Sequence, residues 1–336
     1  MLALYSLRNG HLDFCGEEGS GAKAPAPLDA RLLLEAVWID LHEPTQEEET
    51  FVERELNINI PTREQIFGLE MANRITEENG AIYAPASILL THNGDAPVLT
   101  TVFFILAGKR LVTVRHSPIH AFEIFSGEAC KSGAPKFADG AGIYMGLMEL
   151  MTDRLADVLG QAGAALDIMT QHVFQEELRF RRAEIKDFRR VLARLGRRGD
   201  MLSKARESLL SLMRINTYLT TALEDMPHRK EVRERLRSIS NDIGALTDHV
   251  SYLSSRIALL LDATVGLINL EQNGIIKIFS VVSVAFLPPT LIASIYGMNF
   301  HHMPELDWPF GYPVAVGLMV LSAVLPYVFF KRKGWL

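Results

Sequence analysis

The chain has 336 residues, of which 48% are hydrophobic and 22% are charged, and its formal net charge is −6. This length allows more than one domain, and the negative balance argues against a general nucleic-acid-binding protein. The two cysteines, Cys15 and Cys130, form neither a CxxC pair nor a disulfide framework, which indicates that the charged part of the chain is cytosolic.

Residues 1–141 predict a cytosolic α/β domain. Three stretches rich in β-branched and apolar residues predict strands, and the third continues through AGKR into a hairpin that ends at Val114. The three stretches are Ala36–Leu41, Ala81–Thr91 and Val98–Leu106. The chain has no GxxxxGK[ST] loop, Ser/His/Asp set or metal-ligand spacing, so we expect neither an enzyme, a bound cofactor nor ATP-driven pumping.

Residues 142–226 predict antiparallel cytosolic helices. A first helix is expected from Gly142 to Leu195, with a break at the GRRG of residues 196–199 and a second helix from Asp200 to about Glu224. The stretch Arg179–Arg198 is rich in arginine. We interpret it as a solvated helix face paired with Glu176, Glu177 and Glu184; a lipid-binding patch is the alternative.

Residues 227–295 predict one long helix that continues into a membrane span. After Pro227 no strong helix breaker occurs before Pro288, and isolated glycines are tolerated. A helix from His228 to Ile295 would be roughly 100 Å long. Such a length needs lateral support, which favours a coiled-coil-like assembly.

Two apolar runs near the end of the chain predict transmembrane helices. Ile278–Ile295 and Tyr312–Phe330 contain no charged residue, and each would span roughly 27–29 Å, close to the hydrocarbon core of a bilayer. We place the first span at about residues 276–295 and the second at 312–330. Lysine and arginine flank the spans at Lys277 and residues 331–333 but are absent from the loop at 296–311, which predicts cytoplasmic termini and an outer loop.

A polar stripe follows one side of the first span. With Asn273 as heptad position a, five of seven a and d residues carry a hydroxyl or an amide, whereas the other positions are almost entirely apolar. The a positions are Asn273, Ser280, Leu287 and Ser294, and the d positions are Ile276, Ser283 and Thr290. These small polar residues are either helix-packing contacts or the wetted lining of a pathway. Two spans cannot enclose a pathway, so the second interpretation requires an oligomer.

The same heptad count places an acid at a d position further toward the N-terminus. Asp262 there would form an acidic ring around an axis, or it is a solvated or arginine-paired acid; the heptad alone favours neither.

The stripe offers neutral oxygens rather than thiolate or imidazole, which suits hydrated Mg²⁺ better than softer metals. Glu305 and Asp307 in the outer loop would raise the local cation concentration.

The residues after the first span resemble a known family. Tyr296-Gly297-Met298-Asn299-Phe300 resembles the signature of the CorA family of magnesium channels, and the stretch 270–299 is similar to its enterobacterial members. The match continues through MPEL at 303–306, Trp308, GYP at 311–313 and the terminal KRKGWL at 331–336. The clear similarity covers about residues 260–336, with a weaker one in VWIDLHEPT at 37–45.

The resemblance implies an α+β cytosolic domain, long stalk helices and two transmembrane helices per chain, assembled as a funnel-shaped homopentamer in the bacterial inner membrane. In the family, the first span lines the pore and the GMN asparagine holds hydrated Mg²⁺ at the outer mouth. That role maps to Asn299, flanked by Gly297 and Met298. Family pore positions match Asn273 and Thr290, and the family's cytosolic acidic ring matches Asp262.

The resemblance further implies passive uptake of Mg²⁺, with Co²⁺ and Ni²⁺ as minor substrates, and closure by intracellular Mg²⁺. Asp242 and Asp248 are only loose candidates for the regulatory acids. His301 and His302 depart from the family pattern, because an acid and an aromatic residue often stand there. Adjacent histidines are ligands for transition metals, so a zinc or other transition-metal transporter is the alternative. A membrane-anchored scaffold or sensor is the third hypothesis.

Overall fold

The computed structural model covers the full chain, and the structure is described at the positions whose placement is defined. These are residues 1–15, 18–19, 22–23, 28–67, 74–91, 96–131, 136–175, 185–223, 229–298 and 308–334.

The N-terminal part contains one seven-stranded mixed sheet. Its strand order is β2-β1-β5-β9-β8-β7-β6. The central pair β5–β9 is parallel, and every other neighbouring pair is antiparallel. A two-stranded ribbon, β3–β4, lies apart from this sheet. The strands are β1 (Leu2–Arg8), β2 (His11–Phe14), β3 (Glu18–Gly19), β4 (Ala22–Lys23), β5 (Ala36–His42), β6 (Thr76–Glu78), β7 (Ala81–Leu90), β8 (Val98–Ala107) and β9 (Arg110–Arg115).

Helices cover the sheet and then dominate the chain. Four short helices belong to the N-terminal part, and four long ones follow. They are α1 (Ala30–Glu35), α2 (Gln46–Leu56), α3 (Arg63–Phe67), α4 (His120–Ala129), α5 (Gly140–Gln175), α6 (Ile185–Ala222), α7 (Arg229–Tyr296) and α8 (Gly311–Arg332). The predicted strands correspond to β5, β7 and β8, and the predicted hairpin to β8–β9 with its turn at Gly108.

Helix α2 begins directly after Thr45, and a capping box closes its first turn. The Thr45 hydroxyl accepts from the backbone N–H of Glu48, and the Glu48 carboxylate accepts from the backbone N–H of Thr45 at 2.8 Å. Such a capping box satisfies two N–H groups that a helix start leaves without partners. The same carboxylate accepts from the N-terminal amine of Met1 at 3.0 Å, which ties β1 to α2.

The two faces of the sheet carry different cores. On one face, Ile39 and Leu41 of β5 pack into a mostly aliphatic cluster with Leu33 of α1 and Val52 of α2. On the other face the core is aromatic, because alternate residues of a strand point to opposite faces. Trp38 of β5 lies 5.6 Å from Phe125 of α4, and Phe104 of β8 lies 5.5 Å from Tyr144 of α5. Burying aromatic rings of this size contributes much of a core's stability.

A buried ion pair lies on the same face of the sheet as the aromatic core. Asp40 and Arg115 lie at the end of the parallel β5–β9 pair, and their side chains contact each other at 2.9 Å. The Thr113 hydroxyl donates to Asp40 at 2.7 Å, and the Trp38 indole donates to that hydroxyl at 3.1 Å. Removing one partner would leave a buried charge without compensation, which commonly costs about 3–5 kcal/mol.

The long helices divide between two compact units. Unit 1 comprises Met1–Phe180 and Arg190–Leu260, and unit 2 comprises Arg181–Arg189 and Leu261–Leu336. In unit 1, Arg235 of α7 donates to both carboxylate oxygens of Glu149 of α5 at 2.6 Å. The buried Asn216 amide of α6 donates to the Leu236 carbonyl and the Ser240 hydroxyl of α7 at 2.6 Å, which fixes the antiparallel register of α6 and α7.

One helix boundary differs from the prediction. The described residues of the predicted helix Gly142–Leu195 form α5 up to Gln175 and α6 from Ile185, and residues 176–184 lie outside the described residues. The predicted break at residues 196–199 is wrong, because α6 continues through both glycines. Leu195 and Leu202 are fully buried on the same face of α6, so packing on either side of the glycines offsets their low helix propensity of about 1 kcal/mol each. The predicted helix from His228 to Ile295 corresponds to α7.

Candidate functional site

Among the described residues, two helices of unit 2 are long and apolar enough to cross a membrane. They are α8 and the C-terminal part of α7. Their large apolar side chains are exposed rather than packed: Phe279 is 69% exposed, Leu287 70% and Tyr312 81%. A soluble protein does not leave apolar surface of this extent in water, so length, composition and exposure together indicate membrane-spanning helices.

The membrane part of α7 remains helical through two prolines. Pro288 and Pro289 lie inside the helix, where each removes one backbone donor. The helix ends after Tyr296, where the backbone N–H of Gly297 donates to the Ala293 carbonyl at 2.9 Å and that of Met298 to the Ile295 carbonyl at 3.3 Å. The turn therefore begins at the first two residues of the GMN motif.

The polar stripe lies on the unpacked side of α7. Six of the seven stripe residues are exposed, and the seventh, Ser280, is half-buried. The side that the rest of the chain shields carries Val281, which is 4% exposed, and the partly buried Ala285 and Ile292. At about 100° per residue, this shielded side lies roughly 160° around the helix from the middle of the stripe. The stripe residues are therefore not packing contacts within one chain.

Two hydroxyl groups of the stripe, those of Ser280 and Thr290, are oriented as hydrogen-bond acceptors. All four serine and threonine residues of the span Ile278–Ile295 fall on stripe positions. Ser280 donates its hydroxyl proton to the Ile276 carbonyl at 2.8 Å, and Thr290 donates to the Phe286 carbonyl at 2.8 Å. With the proton engaged inside the helix, each oxygen keeps lone pairs that can accept hydrogen bonds. The waters around a hydrated cation direct their hydrogens outward, so such oxygens match them.

The stripe continues along α7 below the span. Asp262 is exposed, and no described residue forms an ion pair with its carboxylate, so the arginine-paired alternative has no support in the described part of the chain. On the opposite side of α7, Leu253, Ile257 and Leu260 are buried. In α7, therefore, one side packs against the rest of the chain and the other side presents polar residues without a partner. This arrangement is expected of a helix whose polar side lines the central axis of an oligomer.

Sequence reasoning missed an acidic cluster between α5 and α7 in unit 1. Burial raises the pKa of Asp153, and the charges of Asp242, Glu149 and Asp157 raise it further. Of the two loose candidates, Asp242 belongs to this cluster, and Asp248 is exposed elsewhere on α7. The spacing of Glu149, Asp153 and Asp157 places them on one side of α5. Asp242 lies on α7, and only the packing of α7 against α5 brings its carboxylate near these three.

Several predicted site residues lie outside the described residues. These are Asn299, His301, His302, Glu305 and Asp307. Where the structure is described, no group of three or more His, Cys, Asp or Glu side chains is arranged to hold a metal ion. The stripe instead offers neutral oxygens along a helix, which suits a cation that keeps its own waters.

The fold and the stripe define an integral membrane protein with an α+β domain, long helices and two membrane-spanning helices, the first of which carries a polar side. A model of the CorA-like Mg²⁺ transporter proteins matches residues 34–332. The chain belongs to the CorA family, whose members are magnesium transporters and not enzymes.

Named relatives agree with this assignment. The magnesium transport protein CorA of Salmonella typhimurium is 34% identical over 92% of this chain and 94% of its own length. The Escherichia coli protein of the same name is 33% identical over the whole of both chains. Among solved structures, the complete CorA magnesium transporter of Methanocaldococcus jannaschii matches 100% of this chain and 99% of its own with a TM-score of 0.74 and 20% identity, which shows a shared fold.

Proposed function

We propose that this protein is a magnesium channel in which several copies of α7, five by family resemblance, surround a common axis with their stripes facing inward. The observation that carries the proposal is the position of the stripe: it is exposed, opposite the packed side of α7, and contains every hydroxyl of the span. A single chain cannot enclose a path with two helices, so the unpartnered stripe calls for further copies.

The proposed conduction path runs from the outer GMN turn to the cytosolic end of the stripe. Asn299, with Gly297 and Met298, forms the outer mouth, and Glu305 and Asp307 attract cations to it. The lining residues are Asn273, Ile276, Ser280, Ser283, Leu287, Thr290 and Ser294. Asp262 forms an acidic ring at the cytosolic end. Acceptor oxygens suit Mg²⁺ because this ion gives up its waters reluctantly and is conducted with most of them.

The membrane potential suffices as a driving force in this proposal. Moving a divalent ion inward across 100 mV releases about 4.6 kcal/mol, so uptake needs no ATP. Lys277 and the basic residues 331–333 support an orientation with both termini in the cytoplasm of a bacterial cell. Co²⁺ and Ni²⁺, which also travel hydrated, are proposed as minor substrates. Intracellular Mg²⁺ is proposed as the ligand that holds the channel closed.

Cysteine accessibility along α7 tests the stripe directly. Cys15 and Cys130 are first replaced by serine, and single cysteines are then introduced at Ser283, Leu287 and Thr290 or, as matched controls, at Val281, Ala285 and Ile292. Stripe cysteines in the reconstituted protein should react with a charged, membrane-impermeant thiol reagent, and the controls should not. Equal reactivity on both sides, or reaction of the controls alone, would contradict a water-filled path along the stripe.

A further inference from the structure

A cleft lies between strand β7 and helix α6 in unit 1. Beyond Tyr83, where the pairing of β7 with β6 ends, the backbone N–H of Ser87 donates to the Ser211 hydroxyl of α6 at 2.9 Å. The Lys204 ammonium of α6 donates to the carbonyl of Pro97, between β7 and β8, at 2.8 Å. These two contacts hold the helix beside the sheet, so the cleft is a fixed part of the folded unit.

The cleft has the size and shape of a small ligand-binding pocket. Its volume is about 330 Å³, at the small end of the range for such pockets. Apart from Ser87, its lining residues belong to α6, and at about 100° per residue they fall within an arc of about 140°. From α6 it is lined by Ser203, Arg206, Glu207, Leu210, Ser211 and Arg214. We call it the α6–β7 cleft.

Two buried serine hydroxyls of the cleft have unused hydrogen-bonding capacity. Ser87 is 9% exposed and Ser211 is 4% exposed. The Ser211 oxygen accepts from Ser87, but among the described residues its own proton has no acceptor, and the Ser87 hydroxyl has no hydrogen-bond partner. Thr217 and Thr220 of the same helix, in contrast, each donate to the carbonyl four residues earlier at 2.8 Å. Because buried polar groups normally have partners, both serines indicate a ligand that enters the cleft.

The charged groups of the cleft favour an anion. Arg206 is exposed and forms no ion pair with a described residue. Arg214 is partly buried on the same side of α6. Glu207 is exposed and also forms no ion pair within the described part of the chain. Two arginines and one glutamate give the lining a formal net charge of +1, so the cleft attracts anions and repels cations.

We propose that the α6–β7 cleft binds a phosphate group, either free or as a small phosphate monoester. A guanidinium group donates two charge-assisted hydrogen bonds to phosphate oxygens, and the buried hydroxyls of Ser87 and Ser211 supply further donors. Leu210, which is 52% exposed, offers an apolar contact for the carbon part of a monoester. The Glu207 carboxylate opposes the anion, which gives the proposal a test of its sign.

Phosphorus-31 NMR of the full-length protein in mild detergent tests this proposal. Inorganic phosphate and glycerol 3-phosphate are titrated with the protein in the absence of divalent cations, which would bind phosphate themselves. We expect saturable line broadening at one site per chain, with the two probes competing. The probe that binds more tightly identifies the source of the phosphate group. Chloride at about 0.15 M should leave binding in place, because partly buried charges are screened little.

Matched variants assign the binding to the cleft. Arg206→Gln should weaken it at least about tenfold. Ser87→Ala should weaken it by about fivefold, because it removes one donor and keeps the N–H that contacts Ser211. Glu207→Gln should strengthen it by about twofold to fivefold, because it removes a repelling charge. The control Arg194→Gln removes an exposed arginine on the opposite side of α6, about 18 Å along the helix from Arg206, and should bind as the wild type.

Three outcomes would overturn the proposal. The first is the absence of saturable broadening of either probe by the wild type. The second is equal weakening by Arg206→Gln and Arg194→Gln, because binding would then follow the overall charge of the protein. The third is weaker binding in Glu207→Gln. Arg206 and Glu207 are exposed, so we expect both variants to fold as the wild type does, and thermal unfolding checks this. None of these outcomes depends on which ion the protein conducts.

Discussion

At the scale of single residues, two histidines occupy an unfavourable position for a positive charge. His42 ends β5 and His116 follows β9, at the edge where Arg115 is paired with Asp40. The Nε2 atoms of both rings are buried without a hydrogen-bond partner in the described part of the chain. Burial lowers the pKa of His42 and of His116, and nearby cationic groups lower it further.

Charged groups of both signs surround these two histidines. Arg115 and the N-terminal amine lower the pKa of His42, whereas Asp40 and Glu43 raise it. Arg63 and His42 itself lower the pKa of His116, and Glu43 raises it. Desolvation is the largest effect in both cases, so each ring favours its neutral form in the folded protein.

This environment predicts a loss of stability in mild acid. In the unfolded chain the histidines titrate near their usual pKa of about 6.5. Because the folded pKa is lower, the unfolded state takes up protons first as the pH falls, and stability decreases below about pH 6.5. Thermal unfolding at pH 7.5 and 5.5 measures this, and the double variant His42→Leu, His116→Leu should show a smaller drop. A variant of the exposed His120 serves as the control; an equal drop in all three proteins would contradict the assignment.

Asp153 gives a second prediction at this scale. Its pKa is raised by partial burial and by the charges of Asp242, Glu149 and Asp157, so ionisation of its carboxyl is less favourable in the folded than in the unfolded state. Asp153→Asn should raise the melting temperature in a chelator by an amount equivalent to a few tenths of a kcal/mol, because the side chain is exposed and solvent screens it. Adding Mg²⁺ should stabilise the wild type more than the variant. A lower melting temperature in chelator would show that the acids do not repel one another.

At the scale of elements, the glycines of the helices have different roles. Gly140 begins α5 directly against the backbone of β9, where a Cβ would collide with Leu111 and Arg110. Its N–H donates to the Lys109 carbonyl at 2.7 Å. Gly196, inside α6, has open space around its Cβ position.

Alanine substitution should therefore have opposite effects at these two glycines. Gly140→Ala should destabilise the protein by about 1–3 kcal/mol, because a packed backbone must shift. Gly196→Ala should stabilise it by about 0.5–1 kcal/mol, because alanine has the higher helix propensity. Denaturant or thermal unfolding of the purified variants measures both. Destabilisation by Gly196→Ala would indicate that α6 does bend at residues 196–199, as the sequence alone suggested.

The stripe of α7 makes a prediction about transport. Thr290→Val keeps the shape of the side chain but removes the acceptor oxygen from every copy at once, so Mg²⁺ flux should fall at least about tenfold. Ser322→Ala removes a hydroxyl from α8, where it donates within its own helix, and should leave the flux unchanged. Flux into vesicles at equal protein content compares them. A flux in Thr290→Val equal to that of the control would contradict a pore lined by this residue.

The sequence predicted some elements better than others, for physical reasons. Long elements with one strong pattern were predicted well: α7, the apolar spans and the strands of the β8–β9 hairpin. The break predicted at residues 196–199 was wrong because GRRG has the composition of a break, while burial of Leu195 and Leu202 keeps the helix continuous. The stripe was visible as a heptad pattern, but its exposure on the side away from the packed face required the structure. The acidic cluster at Asp153 depends on contacts between distant segments, which no local pattern reveals.

At the scale of the whole molecule, the exposed surfaces of α7 and α8 require the protein to associate with further copies of itself. One chain presents exposed apolar side chains on α7 and α8 and an exposed polar stripe on α7. Lipid can cover the apolar side, but only other copies can surround the polar side, because polar groups are not stable against hydrocarbon. We therefore expect the protein, solubilised in mild detergent, to have the mass of five chains by light scattering. A monomer of full stability would contradict this.

Mg²⁺ entry into proteoliposomes tests most directly whether this protein conducts Mg²⁺ through a mouth at Asn299. Entry is followed with an entrapped Mg²⁺-sensitive dye at an imposed inside-negative potential, for the wild type and for Asn299→Ala. We expect potential-dependent Mg²⁺ entry in the wild type and its loss in the variant, with the assembly of both unchanged. Normal Mg²⁺ entry in Asn299→Ala, or no entry of any ion through the intact wild-type oligomer, would contradict this expectation.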